Sequence, residues 1–193
     1  MGSVVVVHPV RRTVIGVLWL LPSVLYLLVV LFSPIDTISS SESLNKFVLT
    51  TKSMLASSFP SIDLFRHARS TQFSEVAQLA TAYAVYLIGS TAAAFFLYFF
   101  PAFFDKKLRV VPPRSGILGM IFIVPFVLFV CIWGFYCTPG DWSFFPGLTT
   151  EYRVGYLMIS FVVIQMVGIL AGYWPILVFD GVSRIFSKGD NNV

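Results

Sequence analysis

The residues able to do chemistry are few and are poorly placed to cooperate. Two histidines, His8 and His67, lie on either side of a long apolar stretch, so they cannot share a metal ion. No group of Cys and His has ligand spacing. Cys131 and Cys137 are separated by about 9 Å of rise on a continuous helix, whereas a disulfide needs Cα atoms within about 7 Å. They read as unpaired small apolar residues, with Cys137 left able to pair between subunits. No C-x-x-C, Gly-rich phosphate loop or G-x-S-x-G is present. Asp63, His67 and Arg69 could share a helix face, most simply as a solvated ion pair. The expectation is a protein that is not an enzyme, with no catalytic, metal or cofactor site.

One further polar residue stands out by position. Gln165 lies in the middle of an apolar run, where an unsatisfied amide costs several kcal/mol. It should bond to Tyr83, Tyr86 or Ser90, or to Gln165 of another copy. Interhelical glue is the simple role, and a pore or ligand role the alternative. One turn on, Gly168 and Gly172 form the small-xxx-small pattern that lets two backbones approach. Ala82, Gly89, Ala92 and Ala93 offer small residues for a second such contact, within a subunit or between subunits.

These residues are carried by four stretches without charge: 13–32, 76–104, 115–137 and 154–179. Each is long enough to cross a hydrocarbon core about 30 Å thick as a helix. The chain has 193 residues, of which 11% are charged, against about 25% in soluble domains. Its net charge of +4 does not gather on a soluble face interleaved with aromatics, so direct nucleic-acid binding is not expected. The first stretch follows Arg11 and Arg12, but it is too long for a signal-peptide core and no cleavage site follows, so it reads as a retained anchor. Pro22, Pro125 and Pro175 predict kinks. No Asp, Glu, Lys, Arg or His lies inside a stretch, and no repeat pairs the halves, which argues against ion-driven transporters.

Loop charge predicts orientation. Arg11, Arg12, Lys106, Lys107, Arg109, Arg114, Arg184 and Lys188 fall on one side with three acids. The other side holds five basic and six acidic residues. The positive-inside rule then places both termini and the loop 105–114 in the cytoplasm. The loops 33–75 and 138–153 lie outside. In the first of these, Ser39 and Glu42 fit a capping box. Leu44, Phe47, Val48, Thr51 and Leu55 give the apolar face of a helix over about 40–58. Ser61 could cap a shorter helix with Ile62, Leu64, Phe65 and Ala68 inward. Both are expected on the outer membrane surface or capping the spans, where they could dock a partner. In the second loop, Trp142, Phe144 and Phe145 sit between two Pro-Gly turns as interfacial anchors or a site for a hydrophobic partner.

The expected fold is an all-α integral membrane four-helix bundle, a single domain over 1–193 with both termini inside and short amphipathic helices in the first outer loop. Arg11-Arg12, DKKLRVVPPR (105–114), SRIFSK (183–188) and LTTEYRVGYLM (148–158) resemble features of the immunity proteins against pore-forming colicins. In length, span number and orientation the chain also resembles the membrane component of the Kiwa anti-phage system. The Kiwa resemblance implies a homo-oligomer in the bacterial inner membrane that senses an envelope attack, with a cytoplasmic effector recruited by Lys106, Lys107, Arg109 and Arg114. The colicin resemblance implies a toxin partner, met in the bilayer through spans 2–4 and the aromatic loop. Membrane lipids are partners on either reading. A structural subunit of a conjugation or secretion complex is a third.

Overall fold

The computed structural model describes residues 9–100, 114–139 and 145–186, with side chains over 12–100, 119–139 and 145–179. Among the described residues every regular element is helical. In chain order these are α1 (Pro9–Phe32), α2 (Glu42–Ser58), α3 (Arg66–Arg69), α4 (Ser74–Phe99), α5 (Arg114–Ile132), a π-helical turn (Trp133–Cys137), α6 (Pro146–Glu151) and α7 (Arg153–Phe186). Four stretches are long and apolar enough to cross a membrane: Arg12–Phe32, Ser74–Phe99, Gly119–Cys137 and Arg153–Phe179. They match the predicted spans, and this is the make-up of a multi-pass membrane protein.

Proline sets several boundaries. α1 stops at Phe32 because Ser33 precedes Pro34, and the residue before proline is pushed out of helical conformation. The π turn stops at Thr138 (φ −91°, ψ 147°) before Pro139 for the same reason. Pro146 opens α6, where its missing N–H costs nothing. Inside α5, Pro125 leaves the carbonyl of Ile121 without its helical donor. The Trp174 indole N–H of α7 fills that position at 3.1 Å, so the proline defect becomes an α5–α7 contact.

Side-chain pairs fix how the helices run. Trp19 meets Gln165, Tyr26 meets Ser160 and Arg153 meets Ser33, so α1 is antiparallel to α7. Thr81 meets Tyr156, Gly168 abuts Thr91 and Gly172 abuts Ala92, so α4 is parallel to α7. Phe135 meets Tyr156 while Ile121 meets Trp174, so α5 is antiparallel to α7. The start of α1 and the end of α7 therefore share one end, called here the far end. The cap end carries α2, α3 and α6.

Three features of the cap differ from the expectation. Ser41, not Ser39, caps α2, its Oγ accepting the Leu44 N–H at 3.5 Å. Ser39 is held elsewhere: its N–H and that of Ile38 donate to Glu75 Oε2 at 2.9 and 2.7 Å. Ser61 caps no helix. Asp63 Oδ1 instead accepts the Phe65 N–H at 3.1 Å, and α3 is a single turn. α2 also lies against the flank of α4 rather than above the spans. Val48 packs with Leu79 and Ala82, and Phe47 stacks on Tyr86 at 5.5 Å. Tyr86 is about 18 Å along α4 from its start at 1.5 Å per residue. Elsewhere on α2, Leu49 and Met54 stay exposed.

Candidate functional site at the capped end

The cap is tied to the spans at several points. Glu75 at the start of α4 holds the 38–39 turn. The Gln72 N–H donates to the Thr150 carbonyl at 3.0 Å, joining the α3–α4 link to α6. Arg153 Nη1 donates to the Ser33 carbonyl at 2.8 Å and lies over the Phe73 ring at 6.0 Å. α6 sits so close to α7 that a Cβ on Gly155 would come within 2.3 Å of the Leu148 carbonyl oxygen.

Beneath these ties is a buried polar cluster. Tyr26 donates to Ser160 Oγ at 2.6 Å. Tyr156 Oη lies 3.1 Å from Thr81 Oγ1 and donates to the Ala77 carbonyl at 3.3 Å. Tyr136, in the π turn, lies within electrostatic reach of Tyr26 and Tyr156. His67 projects from α3 into this layer. It is fully buried, stacked on Tyr156 at 5.8 Å and packed on Phe135 at 4.8 Å. Neither His67 nitrogen nor the Tyr136 hydroxyl has a hydrogen-bond partner among the described residues. Burial lowers His67 from the ordinary histidine value to about 4, so the ring is neutral at pH 7.

This corrects the reading of Asp63, His67 and Arg69 as one solvated group. Asp63 and Arg69 do pair, with side chains half exposed. Burial pushes Asp63 up, but hydrogen bonds from Arg69 and the Phe65 N–H outweigh it and hold the carboxyl below the usual range. His67 is turned away from them into the core. The amphipathic spacing around residues 62–68 is the one sequence signal that reaches it, since it already sends Phe65 and Ala68 inward.

Gln165 also has partners other than those expected. Its Oε1 accepts the Trp19 indole N–H at 2.8 Å and its Nε2 donates to Ser23 Oγ at 3.2 Å. Both lie on α1, not on α4 with Tyr83, Tyr86 and Ser90. Gln165 lies on the side of α7 that faces α1, while Gly168 and Gly172 face α4. A Cβ on Gly168 would meet the Thr91 side chain at 2.6 Å, and one on Gly172 the Ala92 carbonyl oxygen at 2.4 Å. Both glycines therefore serve contacts within the chain. Gly89 is different: it is exposed, and a Cβ there would meet nothing within 4 Å.

Of the aromatic loop, Phe145 is described. It is exposed, in the left-handed conformation (φ 55°) that non-glycine residues seldom adopt, just before α6. Trp142 and Phe144 lie outside the described residues, as do Lys106, Lys107 and Arg109. Arg114 opens α5, with its side chain outside the described set. Cys131 is half buried and Cys137 buried, and neither is in a disulfide. Among the described residues no group of three or more His, Cys, Asp or Glu gathers as a metal site would require.

The arrangement suits mechanical coupling. A neutral imidazole, three tyrosines and two short hydroxyl pairs knit α1, α3, α4, the π turn and α7 at one level, and the cap is bonded directly to that level. No family model matches the chain, and no curated protein or solved structure matches it.

Proposed function

We propose that this chain is a non-catalytic, multi-pass protein of the bacterial inner membrane that oligomerises and registers an attack on the envelope at its cap. The observation that carries this reading is the cap itself. His67, Glu75 and Arg153 tie the long connection between the first two spans into the layer where α1, α4 and α7 meet, so a load on the cap reaches the spans. The excess of Lys and Arg near the termini and in 105–114 supports a cap facing outward and both termini in the cytoplasm. The basic segment then recruits an acidic cytoplasmic effector. α5 supports assembly: it packs on α7 while Phe122, Phe126, Phe129 and Trp133 stay exposed along one stripe.

The test joins two measurements. Sizing in mild detergent should give a homo-oligomer. Affinity capture should recover one soluble protein, lost on Lys106→Glu with Lys107→Glu. A strict monomer that captures no cytosolic protein rejects the reading. The exposed α5 stripe also favours a second reading, in which it receives the pore-forming helices of a toxin. Protection of cells against one bacteriocin, with no effector captured, selects that alternative.

A further inference from the structure

Where α2 meets the α4–α5 side of the molecule there is a run of three adjacent cavities. The first, about 240 Å³, lies between α4 and the end of α5. Ala84, Val85 and Ile88 form one wall, Ile132 and Tyr136 the other, and Leu55, Phe59 and Leu64 the roof. The second, about 150 Å³, continues along α5 past Phe129 and Trp133 and shares Phe59, Leu64 and Ile132 with the first. An apolar void of about 150 Å³ is enough to hold a benzene ring. Both cavities sit at the level of the membrane-spanning helices. The third, about 340 Å³, adjoins them and mixes apolar lining with the polar groups of Lys52, Ser61, Asp63 and Arg69. It shares Leu55 and Leu64 with the first cavity, and Ile62 and Leu64 with the second.

We propose that this run binds one anionic phospholipid, an acyl chain lying in the apolar crevice between α4 and α5 and the phosphate in the Lys52–Arg69 pocket. Four observations carry it. An amphiphile needs an apolar slot at membrane depth beside a pocket with charged groups, and that is the sequence of linings here. The polar pocket holds two cations against one acid, so it has one unneutralised positive charge for a phosphate diester. Lys52 donates to Gln78 at 2.6 Å and lies over the Phe65 ring at 5.0 Å, which aims its ammonium without neutralising it. Finally, apart from Thr81 and Tyr136 the first cavity is lined by apolar side chains, as an acyl chain requires.

The proposal is independent of what the cap senses. It is tested by native mass spectrometry of the full chain released from nanodiscs of phosphatidylglycerol or of phosphatidylcholine. One phosphatidylglycerol should stay bound per chain, and phosphatidylcholine should be retained far less. Lys52→Gln should cut retention about tenfold, the worth of one charged hydrogen bond. Ser61→Glu, which adds a like charge to the pocket at an exposed position, should do the same without disturbing the core. Lys46→Gln, on the same helix but outside the pocket, should change nothing. Equal retention of the two lipids, or retention indifferent to both Lys52→Gln and Ser61→Glu, overturns the proposal. Inorganic phosphate added to the lipid-free protein separates the two possible sources of the anion. No binding at millimolar phosphate supports the lipid, and stoichiometric binding of phosphate alone overturns it.

Discussion

Replacing His67 by phenylalanine tests whether burial of its ring sets an acid limit on the fold. The native ring titrates at about 4 against an ordinary value of 6.5, and burial alone causes the difference. The sign follows from proton counting. Between these two values the unfolded chain binds a proton at His67 that the folded chain refuses, so stability is full above pH 6.5 and falls as the pH drops toward 4. At about 1.4 kcal/mol per unit, the loss by pH 4 is about 3 kcal/mol. His67→Phe keeps a flat ring against Tyr156 and Phe135 and removes the titration. The assay is reversible unfolding by SDS in mixed micelles, followed by circular dichroism, at half-unit steps from pH 7.5 to 4. Asp63, whose carboxyl is held low, and Glu75, which accepts two backbone N–H groups, begin to lose their contributions only toward the acid end of this range, so the slope is read above about pH 5. The variant should match or exceed the wild type at pH 7.5, because an apolar ring leaves no buried nitrogen unpaired. Its profile should be flat where the wild type slopes. A variant with the wild-type slope would refute the assignment to His67. A variant that loses more than about 2 kcal/mol at neutral pH would refute the claim that the ring nitrogens lack partners.

Gly172→Ala should cost about 1–3 kcal/mol in the same assay, since its Cβ would meet the Ala92 carbonyl oxygen at 2.4 Å and backbone must move. Gly89→Ala, in open surroundings on the same pair of helices, should change stability by less than about 0.5 kcal/mol or raise it. Gln165→Leu should destabilise by about 1 kcal/mol through loss of its bonds to Trp19 and Ser23. A double-mutant cycle with Trp19→Phe should recover most of that as coupling. Trp174→Phe should leave the Ile121 carbonyl unpaired beside Pro125, costing about 1–3 kcal/mol and speeding amide exchange around Pro125 of α5.

The sequence is legible where one physical rule dominates. Apolar length alone places the four spans, because hydrocarbon leaves the backbone no choice but helix. The spacing of Leu44, Phe47, Val48, Thr51 and Leu55 finds α2, and Pro60 finds its end. Gly168 and Gly172 announce a close contact, although not with which helix. The rest depends on groups far apart in sequence. Ser39 has every local quality of a cap, but Glu75, more than thirty residues on, takes its backbone N–H, and the cap passes to Ser41. Gln165 shows that it needs partners, but the rotation of α7 decides between α4 and α1. His67 lies between Arg66 and Arg69, and polar neighbours argue for exposure. Only the turn at Asp63, which tips α3 onto the spans, makes it a core residue.

The contacts also sort by depth, and that order bears on how the molecule responds. Lipid tails are as apolar as leucine, so helices gain little by leaving them, and association rests on close backbone packing and polar pairs. Toward the far end the contact is Gly172 against the Ala92 backbone, which has no adjustable part. Midway is the single node of Gln165 with Trp19 and Ser23. At the cap end the helices meet through side chains: Tyr26 with Ser160, Tyr156 with Thr81, and His67 and Tyr136 with buried polar atoms unmatched. Pairs of this kind contribute about 0.6 kcal/mol each. The unmatched groups subtract from that sum. The buried apolar core is also concentrated at this end, with Tyr26, Val30, Ala77, Ala80, Phe135 and Tyr156 fully buried, so the spans are packed most tightly where the cap is bonded to them. On the proposed reading, a load on the cap therefore acts directly on the best-packed level of the spans.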